Sequence, residues 1–153
     1  MALQRFLDAQ DDPHSGYSVA LTEVRAGRKQ SHWIWYVFPQ VAGLGSSEMS
    51  RRYAIASPDE ARAYFCDPVL GLRLAEITVA LAALDLPLGR VVGQIDAAKV
   101  MSSLTLFEEI AAEYSDAEVP WCGQFEVAAR QILEREERMG AVRCRRTLAF
   151  LRA

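Results

Sequence analysis

Residues Ser31 to Gln40 read SHWIWYVFPQ, placing two of the chain's three tryptophans, a tyrosine and a phenylalanine within six positions. Whether this run is strand or helix decides the fold class. Aromatic and β-branched residues favour a strand by propensity, but a strand needs a partner, and no second run of comparable character occurs in the chain. The stretch therefore reads as a short helix capped by Ser31 and stopped by Pro39. Helical spacing then puts Trp33, Tyr36 and Val37 on one face and His32 with Trp35 on another.

Working outward, helical periodicity dominates. In PVLGLRLAEITVALAALDLP (68–87), Leu70, Leu74, Ile77, Leu81 and Leu84 recur at steps of four and three, the signature of a core-facing helix. Its predicted start is Pro68 and its end lies near Asp85, before Pro87. Upstream, Ser57, Pro58 and Glu60 form the pattern of a capping box, opening a helix that runs to about Cys66 and stops at the Asp67–Pro68 step. Leu3, Phe6, Leu7 and Gln10 make one short helical face, and Tyr17, Ala20, Leu21 and Val24 another that stops at Gly27. Asp96 is the expected cap of a helix through AAKVMSSLTLFEEIAAEY. FEVAARQILEREERM gives a further helix ending near Gly140, and RCRRTLAFLR a last one that returns Leu148 and Leu151 to the core. The expected fold is all-α: a compact bundle of about six to eight helices without a substantial sheet, one domain spanning 1–153.

Composition agrees. A chain of 153 residues with 51% apolar and 24% charged side chains is that of a globular protein, and a net charge of -3 argues against a dedicated nucleic-acid binder. Five acids and no bases lie between Glu108 and Glu118, and four arginines and no acids between Ala141 and Ala153; such segments pair with one another or are solvated separately. Cys66, Cys122 and Cys144 are odd in number and widely spaced, reading as reduced thiols rather than a metal or redox motif. The N-terminal MALQRFLDAQ lacks the basic region and long apolar core of a signal peptide. The apolar run ITVALAALDL is too short to cross a bilayer. A cytoplasmic location is expected, with no membrane association, no metal and no cofactor.

LQRFLDAQ, ALTEVRAGRKQSHWIWYVFPQVAGLGSS, YAIASPDEARAYFCDPVLGLRL and DAAKVMSSLTLF together resemble the domain-of-unknown-function family numbered 1810, over roughly residues 3 to 107. The central motif of two tryptophans, proline and glutamine at fixed spacing is the specific part. The resemblance implies a small, mainly helical protein with no established enzymatic activity. Some members carry a calpastatin-like label, which does not suit a compact composition, since inhibitors of that type are disordered repeats. Beyond Phe107 the likeness thins; CRRTLAFL shares only a threonine-leucine core with the family's closing segment, and the helices of 108–153 rest on periodicity alone.

Polar residues around the aromatic motif supply the candidate chemistry. His32 has the intrinsic pKa of a general base or an anion-binding donor, or serves as a structural histidine at a helix start. Trp33 and Trp35 are core, or they stack on a planar ligand. Gly43 and Gly45 allow close backbone approach, Ser47 can cap the next helix, and such a turn can cradle an anion. Lys99, Ser102 and Ser103 fall on one helical face, either to bind an anion, to activate a serine, or simply to pack. The serine-lysine order is the reverse of that in penicillin-recognising enzymes, and no oxyanion-hole signature accompanies it. Two functions follow. One is a pocket, lined by His32, Trp33, Trp35, Gln40, Gly43, Gly45, Ser47, Lys99, Ser102 and Ser103, for a phosphorylated or nucleotide-like small molecule. The alternative is a non-enzymatic protein-interaction module using the acidic segment and the arginine tail.

Overall fold

Helix α6, Leu70–Ala83, carries the expected stripe: Leu70, Leu74, Ile77 and Leu81 are buried. In the computed structural model, which describes residues 3–153, this helix packs on α9 (Cys122–Arg138), α2 (Tyr17–Arg25) and α5 (Pro58–Cys66). It starts two residues later than predicted. The Asp67 carboxylate accepts from the amides of Val69 and Leu70, both at 2.9 Å, and so caps the helix in place of a first-turn proline. Leu84 lies just past its end and is half-buried.

The remaining elements are α1 (Gln4–Gln10), α3 (Ile34–Val37), α4 (Glu48–Arg52), α7 (Leu88–Val92), α8 (Gln94–Ala111) and α10 (Arg145–Arg152). Ten helices thus occur among the described residues, more than the six to eight expected. The surplus comes from α4 and α7, which span five residues each and leave no periodicity to detect. The one β feature is an isolated parallel bridge between Val41 and Ile55.

Local signals explain most boundaries. Ser57 Oγ accepts from the Glu60 amide at 3.1 Å, while the Glu60 carboxylate reaches back to the Ala56 amide at 3.0 Å. Arg5 of α1 locks onto the same carboxylate at 2.9 Å, so the cap also ties α1 to α5. Two expectations fail. Ser31 does not cap α3, which begins after Trp33, because its hydroxyl is bound to Glu23. Asp96 does not cap α8, which begins at Gln94, because its carboxylate faces two lysines.

Helix α8 runs through the centre, with Val100, Leu104 and Phe107 buried, and packs on α5, α7, α9 and α10. Gln10, also buried, donates to the Tyr36 carbonyl at 2.8 Å and the Tyr64 hydroxyl at 3.0 Å, joining α1, α3 and α5. Trp121 donates to the Phe65 carbonyl at 2.9 Å. At Gly71 beneath it, an added Cβ would lie 2.0 Å from that same carbonyl oxygen. Glycine is what lets the first turn of α6 meet the end of α5. The C-terminal helix α10 buries Thr147 fully, while Leu148 and Leu151 are half-buried and Leu151 packs against the core.

Candidate functional site

The segment from Lys29 to Tyr53 builds a wall, and one acid upstream of it sets its shape. Glu23, on α2, accepts hydrogen bonds from the Gln30 and Ser31 amides, the Ser31 hydroxyl and the Trp33 indole N–H, at 2.8, 2.9, 2.5 and 2.9 Å. Burial disfavours its ionised form, but these donors outweigh that cost and hold its carboxyl at about 2. Sequence reasoning missed Glu23. The available signal was an acid ten residues ahead of a tryptophan that needs an indole partner once buried.

Trp33 is fully buried, 0% exposed, and packs beside Phe38. It is therefore core and has no face free for a ligand. Trp35, two positions further on, is half-buried and faces the other way. The chain then passes through buried Phe38 and Pro39 to Gln40, whose carbonyl accepts from the Ile55 amide at 2.8 Å; the Ile55 carbonyl accepts from Ala42 at 2.9 Å. Between these clasped ends, Gly43 adopts φ +92°, a conformation side chains disfavour. Ser47 caps α4 through the Ser50 amide at 3.1 Å, as expected.

Between this segment and α8 lies a concave cavity of about 470 Å³, lined among others by Trp35, Gln40, Gly45, Ser47, Lys99 and Ser102. Ligand sites typically measure about 300–1,000 Å³. The structure thus gathers six of the sequence-predicted residues onto one surface and leaves four off it. His32 is exposed, and its ring has no hydrogen-bond partner among the described residues. Trp33 and Ser103 are buried in the core, and Gly43 shapes the turn behind the lining. Val41, Leu44, Met49, Tyr53 and Ile95 complete the apolar walls. Their positions were not singled out beforehand, since Val41, Leu44 and Tyr53 lie outside helices, Met49 sits in a helix of five residues and Ile95 in the first turn of α8.

The charge arrangement is specific. Asp96 binds Lys29 through one carboxylate oxygen at 2.8 Å and Lys99 through the other at 3.1 Å. The Lys99 ammonium also sits 3.9 Å above the Trp35 ring centroid, and Lys29 sits 5.2 Å from that of Trp33. Burial raises the cost of ionising Asp96, yet the bonds and charges of the two lysines prevail and hold its carboxyl below the ordinary range. Ser102 donates to the Ala98 carbonyl at 3.1 Å, and no hydrogen bond links Lys99 to Ser102 or Ser103. A serine nucleophile activated by lysine is not assembled here.

At the far end of the chain, Arg143 pairs with Glu108 and, at 3.2 Å, with Glu137. Part of the arginine tail is therefore neutralised within the molecule. No described helix is long and apolar enough to cross a membrane.

A mainly helical architecture with its 35–53 segment walled against α8 defines the class. The chain belongs to the family described as protein of unknown function (DUF1810), whose model matches residues 1–121, further than the motifs alone carry the resemblance. It is similar to the crystal structure of the conserved hypothetical protein Rv1873 from Mycobacterium tuberculosis, with 37% identity and a TM-score of 0.81 over 99% of this chain and 96% of that one. That likeness extends through the C-terminal helices beyond the family model. No curated protein matches the chain.

Proposed function

We propose that this protein binds a nucleotide-like small molecule in the cavity between the 35–53 segment and α8, acting as a cytoplasmic single-domain protein. The observation that carries this reading is the convergence of Trp35, Gln40, Ser47, Lys99 and Ser102 on one concave surface from two distant parts of the chain. Packing alone would be satisfied by leucine at such positions. A thermal-shift screen of nucleosides, nucleotides and phosphometabolites tests it. A ligand at 100 times its dissociation constant adds about 2.7 kcal/mol of stability, and the shift must disappear in Trp35→Ala. A flat response across the whole library would dispose of the reading.

The alternative, a non-enzymatic protein-interaction module, draws on a different surface. Leu72, Val79 and Val127 are exposed along α6 and α9, at 47%, 40% and 61%, and apolar side chains so placed are what a partner helix would cover. Charge swaps in the arginine tail would have little effect on such docking, whereas Val79→Glu with Val127→Glu would abolish it. A pull-down lost only on tail neutralisation would count against this surface.

A further inference from the structure

The cavity reading leaves open which part of a nucleotide-like molecule is recognised, and the distribution of unpaired polar groups decides it. Lys99 is the one cation among the lining residues, and both Asp96 and the Trp35 ring already hold it. The nearby arginines lie outside that lining. Arg51 donates to the Ser46 carbonyl, and Arg146 to that of Gly43 at 3.4 Å. Among the lining residues a phosphate would meet only this ion-paired lysine, and ion-paired lysines gain little from a second anion in partial solvent.

Two of the neutral polar groups are in the opposite condition. The side-chain amide of Gln40 and the hydroxyl of Tyr53 both belong to the cavity lining, and neither has a hydrogen-bond partner among the described residues. Tyr53 is only 7% exposed, its ring held edge-on against Tyr36 with centroids 5.2 Å apart. Its ring is buried while its hydroxyl stays accessible in the cavity lining, so a ligand group can take the place of water on it. An amide offers donor and acceptor side by side, the pattern that matches the edge of a heterocyclic base. Around these two groups lie Trp35, Leu44, Met49 and Ile95, the last 78% exposed at the rim. They are surfaces for a flat ring rather than a hydrated anion.

Resting on the pocket reading, we infer that the cavity takes an uncharged heteroaromatic ring of the nucleobase or nucleoside class, read at its edge by Gln40 and Tyr53. Recognition is of the ring, and a phosphate on the ligand adds little.

Isothermal titration of the full chain with adenosine, guanosine, cytidine and uridine, their 5′-monophosphates, and inorganic phosphate alone tests this. At least one nucleoside is expected to bind, with its monophosphate within about threefold, no competition by inorganic phosphate, and little change from 50 to 500 mM salt. Gln40→Leu is expected to weaken that nucleoside about tenfold or more, since it leaves the ring edge unpaired. Tyr53→Phe removes only a hydroxyl, so it keeps the test alive should Gln40→Leu disturb folding, and a loss of about threefold or more is expected. Binding of a monophosphate but not its nucleoside, sensitive to Trp35→Ala, would overturn this inference and leave the pocket reading standing. Nucleoside binding indifferent to Gln40, Tyr53 and Trp35 would overturn both, as would no binding by any probe.

Discussion

Trp33 with Lys29 and Trp35 with Lys99 make two versions of the same arrangement, a lysine held over an indole, and Asp96 serves both. In the first, the ring is sealed in the core, its N–H is fixed by Glu23, and the lysine side chain is 8% exposed. In the second, the ring lines a cavity and the lysine is 22% exposed. A single residue, Ile34, separates the tryptophans, and that two-position offset turns the same chemistry from structural to accessible. Residue type does not distinguish the two roles; the direction a short helix faces does.

The sharpest way to break this comparison is alanine substitution at both rings. Trp33→Ala is expected to cost about 3 to 5 kcal/mol in urea unfolding, and Trp35→Ala less than about 2, because only part of the second ring leaves water. Equal losses would show that both tryptophans are core. Next in size, Glu23→Gln is expected to destabilise by about 1 to 3 kcal/mol at neutral pH by weakening acceptors that four donors share. The folded Glu23 titrates near 2 instead of its ordinary 4.5. Its ionised form therefore contributes stability above the unfolded value, and that contribution drains away as pH falls from about 5 towards 2. The glutamine variant should lose this acid-sensitive component, which urea midpoints measured across that range would reveal.

Lys99→Met should cost only about 1 kcal/mol while altering Trp35 emission, since the ammonium leaves the ring face. An emission spectrum unchanged from that of the parent would contradict the stacked geometry. Smallest of all, Arg143→Ala should cost about 1 kcal/mol and less in high salt, because Arg143 and Glu137 are partly exposed, while Glu108 is the more buried partner. A larger loss would mean that the tail organises α8 and α9 rather than decorating them.

Much of this architecture was legible beforehand, for reasons that differ by element. The α6 stripe and the Ser57–Glu60 cap were readable because each is written within one turn or one repeating spacing. The short helices were harder, since four or five residues do not complete two turns: α3 was reached only by excluding a strand, α4 only through its Ser47 cap, and α7 not at all. Ser31 and Asp96 both have the side chains of N-caps, and both were drawn instead into longer-range bonds, with Glu23 and with two lysines. Local propensity yields where a distant charge offers more. At the candidate site, Trp35, Gln40 and Lys99 were identifiable by type, but their meeting depended on how α8 crosses the wall. Glu23 and Tyr53 escaped notice because their importance lies entirely in what packs on them.

The paired hydrogen bonds between Gln40, Ala42 and Ile55 have a consequence for the timing of motion. They close the ends of the segment that carries Gly43, Ser47 and α4, while little of that segment is buried: no residue of α4 is. Such a stretch opens as a unit with a free energy below that of global unfolding. The amides of Ala42 and Ile55 should therefore exchange with deuterium together, faster than those of Val100 or Leu104 in α8, and a bound ring should slow both to a common rate.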